Sequence, residues 1–217
     1  MAVCAMLCLY QEDLRFMSDY HFFATVSRMK YISRWALMRN SRQEDLSEHS
    51  LEVAMIAHAL CTIGNVRYGK HLNGERAALI ALYHDASEII TGDLPTPVKY
   101  YSDEIRDAYK KVESVAEDQL LNQLPEDLRA VYASVLKETD NEEDILLRKY
   151  VKAADKLSAL IKCVEEESAG NTEFRTAYAS TRKSIAEMEK EMPELTDFIN
   201  DFLGSYGNTL DELLSRA

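Results

Sequence analysis

The chain has 217 residues, 47% of them hydrophobic, which suits one domain of ordinary size with a large core. Only 7 Gly and 4 Pro, with few β-branched runs, favour helices over strands. A net charge of −12 repels phosphate polymers and argues against a nucleic-acid partner, while still allowing a small anionic substrate held by one or two cationic side chains in a pocket.

The first sixteen residues, MAVCAMLCLYQEDLRF, hold an apolar run of about ten residues, too short for a membrane span. The run begins without Lys or Arg and ends in Gln-Glu-Asp, so it does not read as a signal peptide. Bulky Leu7 before Cys8 rules out a lipoprotein box. Residues 1–16 are therefore expected to be an N-terminal extension, with the natural start at Met17; a short N-terminal helix is the alternative. The four cysteines, at 4, 8, 61 and 163, form no CxxC pair. Cys61 and Cys163 fall on apolar helix faces and read as reduced core residues, a cytoplasmic pattern with no membrane partner.

Residues 18–33 carry apolar side chains at 22, 23, 26, 29 and 32, a helical spacing with Ser18 as N-cap. RWALMRNSRQED reads as a loop. SEHSLEVAMIAHALCTIG predicts a helix capped by Ser47 and stopped near Gly64. NGERAALIALYHDASEII predicts a third, apolar nearly all round from Ala77 to Tyr83 and so expected to be the central buried helix. TGDLPTPVKY breaks it with one Gly and two Pro. Helices follow over SDEIRDAYKKVESVAEDQLLNQL, from Pro125, and from Glu142 to Ala169, the last ended by Gly170 and Asn171. Two or three shorter ones complete the chain, with breaks at Pro193 and from Gly204 to Gly207. With no repeat, low-complexity linker or strand pattern, a single all-α helical bundle over 17–217 is expected.

The chemical anomaly is His84-Asp85, two polar neighbours on the most apolar helix. In projection Asp85 shares a stripe with Ala78, Leu82 and Ile89. An unpaired carboxylate there costs several kcal/mol or takes up a proton. A divalent cation shared with His84 removes that cost, and Glu88, one turn on, overhangs the same spot. His49 lies on the stripe of Val53, Ile56 and Leu60; Asp155 lies at the edge of the stripe of Leu147, Val151, Ala154 and Ile161. His49, His84, Asp85 and Asp155 together form a mixed N/O ligand set that suits Mn, Fe, Co, Ni or Zn without choosing among them. Each residue alone has an ordinary explanation, and only motif spacing separates His49 from His58 on the same helix.

The order His49, His84-Asp85, Asp155 resembles the signature of HD-domain metal-dependent phosphohydrolases. HFFATVSRMKYISRWALMRN, SEHSLEVAMIAHAL, LYHDASEIITGDLPTPVKY and VKAADKLSALIKCVEEESAGNTEF resemble the bacterial YfbR-type 5′-deoxynucleotidases from Met17 onward. The HD pair alone is a weak motif; its combination with SRW and TGDLPTP is specific. The resemblance implies an all-α phosphohydrolase that removes the 5′-phosphate of deoxyribonucleoside monophosphates, selective against ribonucleotides and broad in base. It implies a divalent metal, cobalt being favoured and manganese or zinc possible, and a homodimer. It assigns the metal to His49, His84, Asp85 and Asp155, with Asp85 also beside the substrate. Glu88 becomes the catalytic acid, acting on the attacking water or the leaving 5′-oxygen. Arg34 grips the phosphate, and Trp35 packs against the nucleoside. Asp93 accepts from the sugar 3′-hydroxyl, and Leu94, Pro95 and Thr96 line the pocket. The alternatives are an HD-type enzyme acting on another nucleotide and a non-catalytic nucleotide sensor.

Overall fold

The computed structural model describes residues 19–99 and 101–215, and of Thr96 only the backbone. The expectations for Met17 as start, Ser18 as cap, the extension and Cys4 and Cys8 lie outside the described residues. The first helix, α1 (Phe22–Val26), passes into a 3-10 turn (Ser27–Tyr31) and is shorter than the 18–33 span predicted. His21 stands at its N-cap without a side-chain bond. Phe22 and Met29 are buried, whereas Phe23 and Tyr31 face outward, so only one edge of the segment is anchored.

α2 (Leu46–Tyr68) starts at a capping box. Asp45 accepts from the backbone N–H groups of Ser47 and Glu48 at 2.8 and 3.0 Å, and Glu48 accepts from Asp45 N–H at 3.3 Å. The cap is thus Asp45, not Ser47. The helix also runs through Gly64 to Gly69, whose φ of 63° suits glycine. Gly64 serves close packing rather than termination: a Cβ there would stand 2.6 Å from Glu194 Oε1 and 2.9 Å from Leu72 Cδ1.

α3 (Gly74–Tyr83), capped by Asn73, stops before the His-Asp pair. Residues 84–87 form a turn, and α4 (Glu88–Thr91) starts afresh, ending at Gly92 with φ 74°. The pair is therefore at a helix break, not within a continuous helix. Nor is α3 buried all round: Ala77, Ile80 and Ala81 are inside, while Leu79 and Leu82 are exposed. The short α5 (Thr96–Lys99) precedes α6 (Asp103–Leu121, capped by Ser102) and α7 (Glu126–Leu136). α8 (Glu142–Ser168), capped by Asn141, ends at Ala169 as predicted. A 3-10 turn (Thr172–Phe174) leads into α9 (Arg175–Met188). α10 (Pro193–Phe202) starts on its proline, so Pro193 opens a helix, the previous one having ended at Met188. A 3-10 turn (Leu203–Gly207) and α11 (Leu210–Leu214) follow.

The main core lies between α2, α3, α8 and α10, with Val53, Leu60, Ile80, Leu157, Leu160 and Leu195 fully buried. A second cluster packs Phe22, Leu120, Leu124 and Leu136 around Ala86, which anchors the 84–87 turn from behind. Cys61 and Cys163 are free and buried. Among the described residues there is no strand, only an isolated bridge between Ser33 and Asp45, and no helix is long and apolar enough to cross a membrane. That bridge closes the base of the 34–44 loop, with Arg34 N–H donating to Glu44 C=O at 3.0 Å.

Replacing Asp45 by Ala removes the box at the helix that carries His49. A loss of about 1 kcal/mol is expected, a fall in Tm of roughly 2–4 °C by thermal unfolding. An unchanged Tm would show that Asp45 is not the cap that matters.

Candidate active site

Capping by Asp45 begins α2 so that its first turn turns His49 inward, with no exposed surface. His49 Nδ1 lies 3.0 Å from Ser158 Oγ on α8. His84 closes α3, and its Nδ1 lies 2.6 Å from the Ala81 carbonyl, which can only accept. The Nε2 atoms of both rings are buried without a hydrogen-bond partner. Asp85 Oδ2 is 3.5 Å from His49 Nε2 and 3.2 Å from His84 Nε2. Asp155 Oδ1, from α8, is 3.3 Å from His49 Nε2. All four expected ligands thus converge, with His49, His84 and Asp85 the tightest group. Two donors that share one ion at about 2.1 Å stand roughly 3.0–3.4 Å apart, so these spacings and bare nitrogens fit a cation. His58 is exposed, which separates it from His49.

The charges are mutually dependent. Burial pushes Asp85 up, but the close imidazoles of His84 and His49 hold it well below the usual carboxylate range. Asp155 is likewise lowered against its burial, by the adjacent His49 ring and Lys156. His84 is pulled down by burial yet raised to about 9 by Asp85, Asp155 and the Ala81 carbonyl. A metal-free cluster therefore holds protons that a cation would displace.

Glu88 opens α4 and is buried, with Oε2 unpartnered. Burial and then repulsion from Asp85 and Asp93 raise its carboxyl to about 9, against the pull of Lys99 and Arg34. Asp93 follows the Gly92 turn; burial and Asp85 raise it, opposed by Arg34, His49 and Lys99. Asp93, Leu94 and Pro95 are half-buried, and Thr96 opens α5. The segment is strapped to α6, where the Tyr109 hydroxyl lies 3.2 Å from Thr91 Oγ1 and 3.3 Å from the Gly92 carbonyl. Lys99, paired with Glu113 at 2.8 Å, covers the Tyr109 ring.

The 34–44 loop supplies the cationic wall. Arg34 Nη1 is 3.5 Å from Asp85 Oδ2, and its Nε, 3.7 Å from Glu44, has no hydrogen-bond partner. Trp35 is the one non-glycine residue with positive φ among the described residues, at 55°. Such a conformation costs on the order of 1–2 kcal/mol. It is held by Met38 N–H and Asn40 Nδ2 on its carbonyl, at 2.9 and 3.1 Å, and by its indole N–H donating to Glu44 Oε2 at 2.9 Å. The ring packs at 5.3 Å against Phe174.

Beneath the loop, buried Glu166 accepts from Ser41 N–H and Oγ–H at 2.8 and 2.6 Å and from Asn171 Nδ2 at 2.7 Å. Buried Lys162 donates to Glu166 and to the Arg42 carbonyl. These bonds overcome burial and lower Glu166 to about 2. Sequence reasoning missed Glu44, Ser158, Glu166 and Phe174. The available hint was spacing: Ser158 stands three residues after Asp155, on the same helix face.

Glu166→Ala would leave Lys162 buried without its partner and free the Ser41–Arg42 backbone. A loss of about 3–5 kcal/mol is expected in urea unfolding. Glu173→Ala, which breaks only the more exposed Arg39 pair, is expected to cost at most about 1 kcal/mol. Equal losses would contradict the buried pin.

The family model described as 5′-deoxynucleotidase YfbR-like matches residues 21–206. A 5′-deoxynucleotidase of Erwinia tasmaniensis is 51% identical over 91% of this chain and 98% of its own length. One of Vibrio vulnificus is 48% identical over 91% of this chain and all of its own. An HD-domain phosphohydrolase of Listeria innocua superposes with TM-score 0.73 at 26% identity, covering 86% of this chain and 88% of its own. A cyanophage S-2L HD phosphohydrolase, solved with dA and one catalytic Zn²⁺ ion, covers 85% of this chain and 95% of its own. Its TM-score is 0.57 at 17% identity, a likeness of fold alone.

Proposed function

The chain belongs to the YfbR-like 5′-deoxynucleotidase family, and we propose that it hydrolyses deoxyribonucleoside 5′-monophosphates at the His49, His84, Asp85 and Asp155 cluster. The carrying observation is the pair of buried, unpartnered Nε2 atoms facing two carboxylates. These four residues would hold a divalent cation. When bound, such an ion lowers the pKa of water and polarises the phosphoryl oxygens. The mixed donor set accepts cobalt, manganese or zinc.

The chain's own groups account for the rest. Arg34, already beside Asp85 and with its Nε–H unsatisfied, offers its guanidinium to the phosphate oxygens as charge moves onto them. Glu88 keeps its proton at neutral pH and so suits donation to the departing 5′-oxygen. Trp35, fixed by Glu44 and Phe174, presents its remaining surface to the nucleoside. Asp93, on the segment strapped to Tyr109, accepts from the sugar 3′-hydroxyl, and the close wall of Leu94 and Pro95 leaves no place for a 2′-hydroxyl. No base-reading group is assigned, so base preference is broad. The working form is a cytoplasmic homodimer. Its reduced buried cysteines suit that compartment, and exposed Leu51 and Met55 on α2 offer an apolar face.

The test is phosphate release from paired deoxy- and ribonucleoside monophosphates with added Co²⁺ or Mn²⁺. Release at least a hundredfold faster from the deoxy sugar is expected, on the order of a site built around one hydroxyl. Equal rates would remove the sugar selectivity, and no release from either would favour a sensor. Asp93→Asn should compress the deoxy/ribo ratio; an unchanged ratio removes Asp93 from selectivity. Glu88→Gln should lower kcat by roughly 10²–10⁴-fold while metal affinity stays within twofold. Loss of metal with Glu88→Gln would make it a ligand instead.

A further inference from the structure

We propose that Ser158 and Glu52 are positioning residues that fix the tautomer of His49 and thereby its capacity to hold a cation. The inference rests on the metal-site reading above.

The seam between α2 and α8 is joined twice, one turn apart. His49 meets Asp155 at 3.3 Å, and three residues further along each helix Glu52 meets Ser158. Ser158 has no exposed surface, so its hydroxyl has no solvent alternative. That hydroxyl owns one proton and two lone pairs. Glu52 Oε2, at 2.5 Å, takes the proton in a charge-assisted bond. Ser158 Oγ then has only lone pairs to offer His49 Nδ1 at 3.0 Å. Glu44 Oε1, 3.7 Å from the same nitrogen, is a second acceptor on that side. With a cation between Nε2 and the carboxylates of Asp85 and Asp155, the ring proton therefore belongs on Nδ1, and Nε2 is free for the ion.

The direction of the chain matters. Without a carboxylate at position 52, the Ser158 proton is free to turn toward Nδ1. The ring proton then moves to Nε2, the atom a cation needs. Glu52 touches no ligand atom, yet it selects which face of His49 is available. His84 needs no such device, because the Ala81 carbonyl facing its Nδ1 carries no proton.

The experiment measures Zn²⁺ affinity by chelator competition, together with ¹⁵N-histidine NMR of the Zn²⁺-loaded protein. Ser158→Ala removes one buried oxygen and keeps the packing, with thermal unfolding as the check on folding. Glu52→Gln keeps the shape but replaces the pure acceptor with an amide that can donate. Each is expected to weaken Zn²⁺ about 10–100-fold, and Ser158→Ala to lose the slowly exchanging His49 Nδ1–H signal. The double variant should cost little more than either single one. Glu165→Gln, which neutralises a glutamate lining the same cavity as Glu52 but outside the relay, should stay within twofold. If Ser158→Ala and Glu52→Gln bind Zn²⁺ like the parent and keep the Nδ1–H signal, the relay is overturned while the metal site stands. An equal loss with Glu165→Gln would overturn it too, reducing the effect to local charge. If His49→Ala itself keeps full affinity, the ligand assignment fails and the relay falls with it.

Discussion

The arrangement on which the site depends is the commitment of one nitrogen on each of two histidines. A neutral imidazole has one donor and one acceptor nitrogen, and the two cannot be chosen independently. His84 Nδ1 faces the Ala81 carbonyl and His49 Nδ1 faces Ser158 Oγ. Both Nε2 atoms must then look the other way, into a space shared with Asp85 and Asp155. Three helices build this: α2 brings His49, the end of α3 brings His84-Asp85, and α8 brings Asp155 and Ser158. The break after Tyr83 is part of the device. A continuous helix would spend the 84–88 backbone on its own ladder; the turn lets His84 reach back to Ala81 while Ala86 anchors it below.

A second layer braces Arg34, Trp35 and the Gly92–Asp93 corner. Glu44 joins the indole of Trp35 and the guanidinium of Arg34 to the back of His49. Glu166 and Lys162 hold the far side of the same loop from within α8. The strained Trp35 backbone is stable only because these contacts over-determine it. On the opposite wall, Tyr109 and Lys99 tie the Gly92–Asp93 corner to α6. The candidate site is thus a His/Asp cluster between two braced loops, an arrangement that would suit holding a phosphate and a sugar at once.

Much of this was legible in the residue pattern. His84-Asp85 stood out because a carboxylate and an imidazole on an apolar stripe need a reason, and Asp155 and His49 lay on stripes aimed at the same core. The all-α fold and the long α8 followed from helical periodicity and from Gly170. Part of what escaped had long-range causes. Gly64 reads as a stop signal until Glu194 and Leu72 are seen against it. Ser47 and Asp45 are both plausible caps, and only the reciprocal Glu48 bond chooses. The helix break at 84 goes with the packing of Ala86 against Phe22, Leu120 and Leu124, which the local sequence does not display. Glu44 and Glu166 carry no sequence signal: Glu44 meets Arg34 and Trp35 only once the 34–44 loop is folded, and Glu166 meets Ser41 across the fold. His49 and His58 were indistinguishable by type, and burial alone separates them.

The central claim is that one cation lies at the meeting point of the two bare Nε2 atoms. Anomalous diffraction from crystals grown with Mn²⁺ or Zn²⁺ tests it directly. A single strong peak bonded to His49 Nε2, His84 Nε2 and oxygens of Asp85 and Asp155 is the predicted result. A peak elsewhere, or ligation through either Nδ1 with the Ser158 and Ala81 contacts broken, would contradict the account.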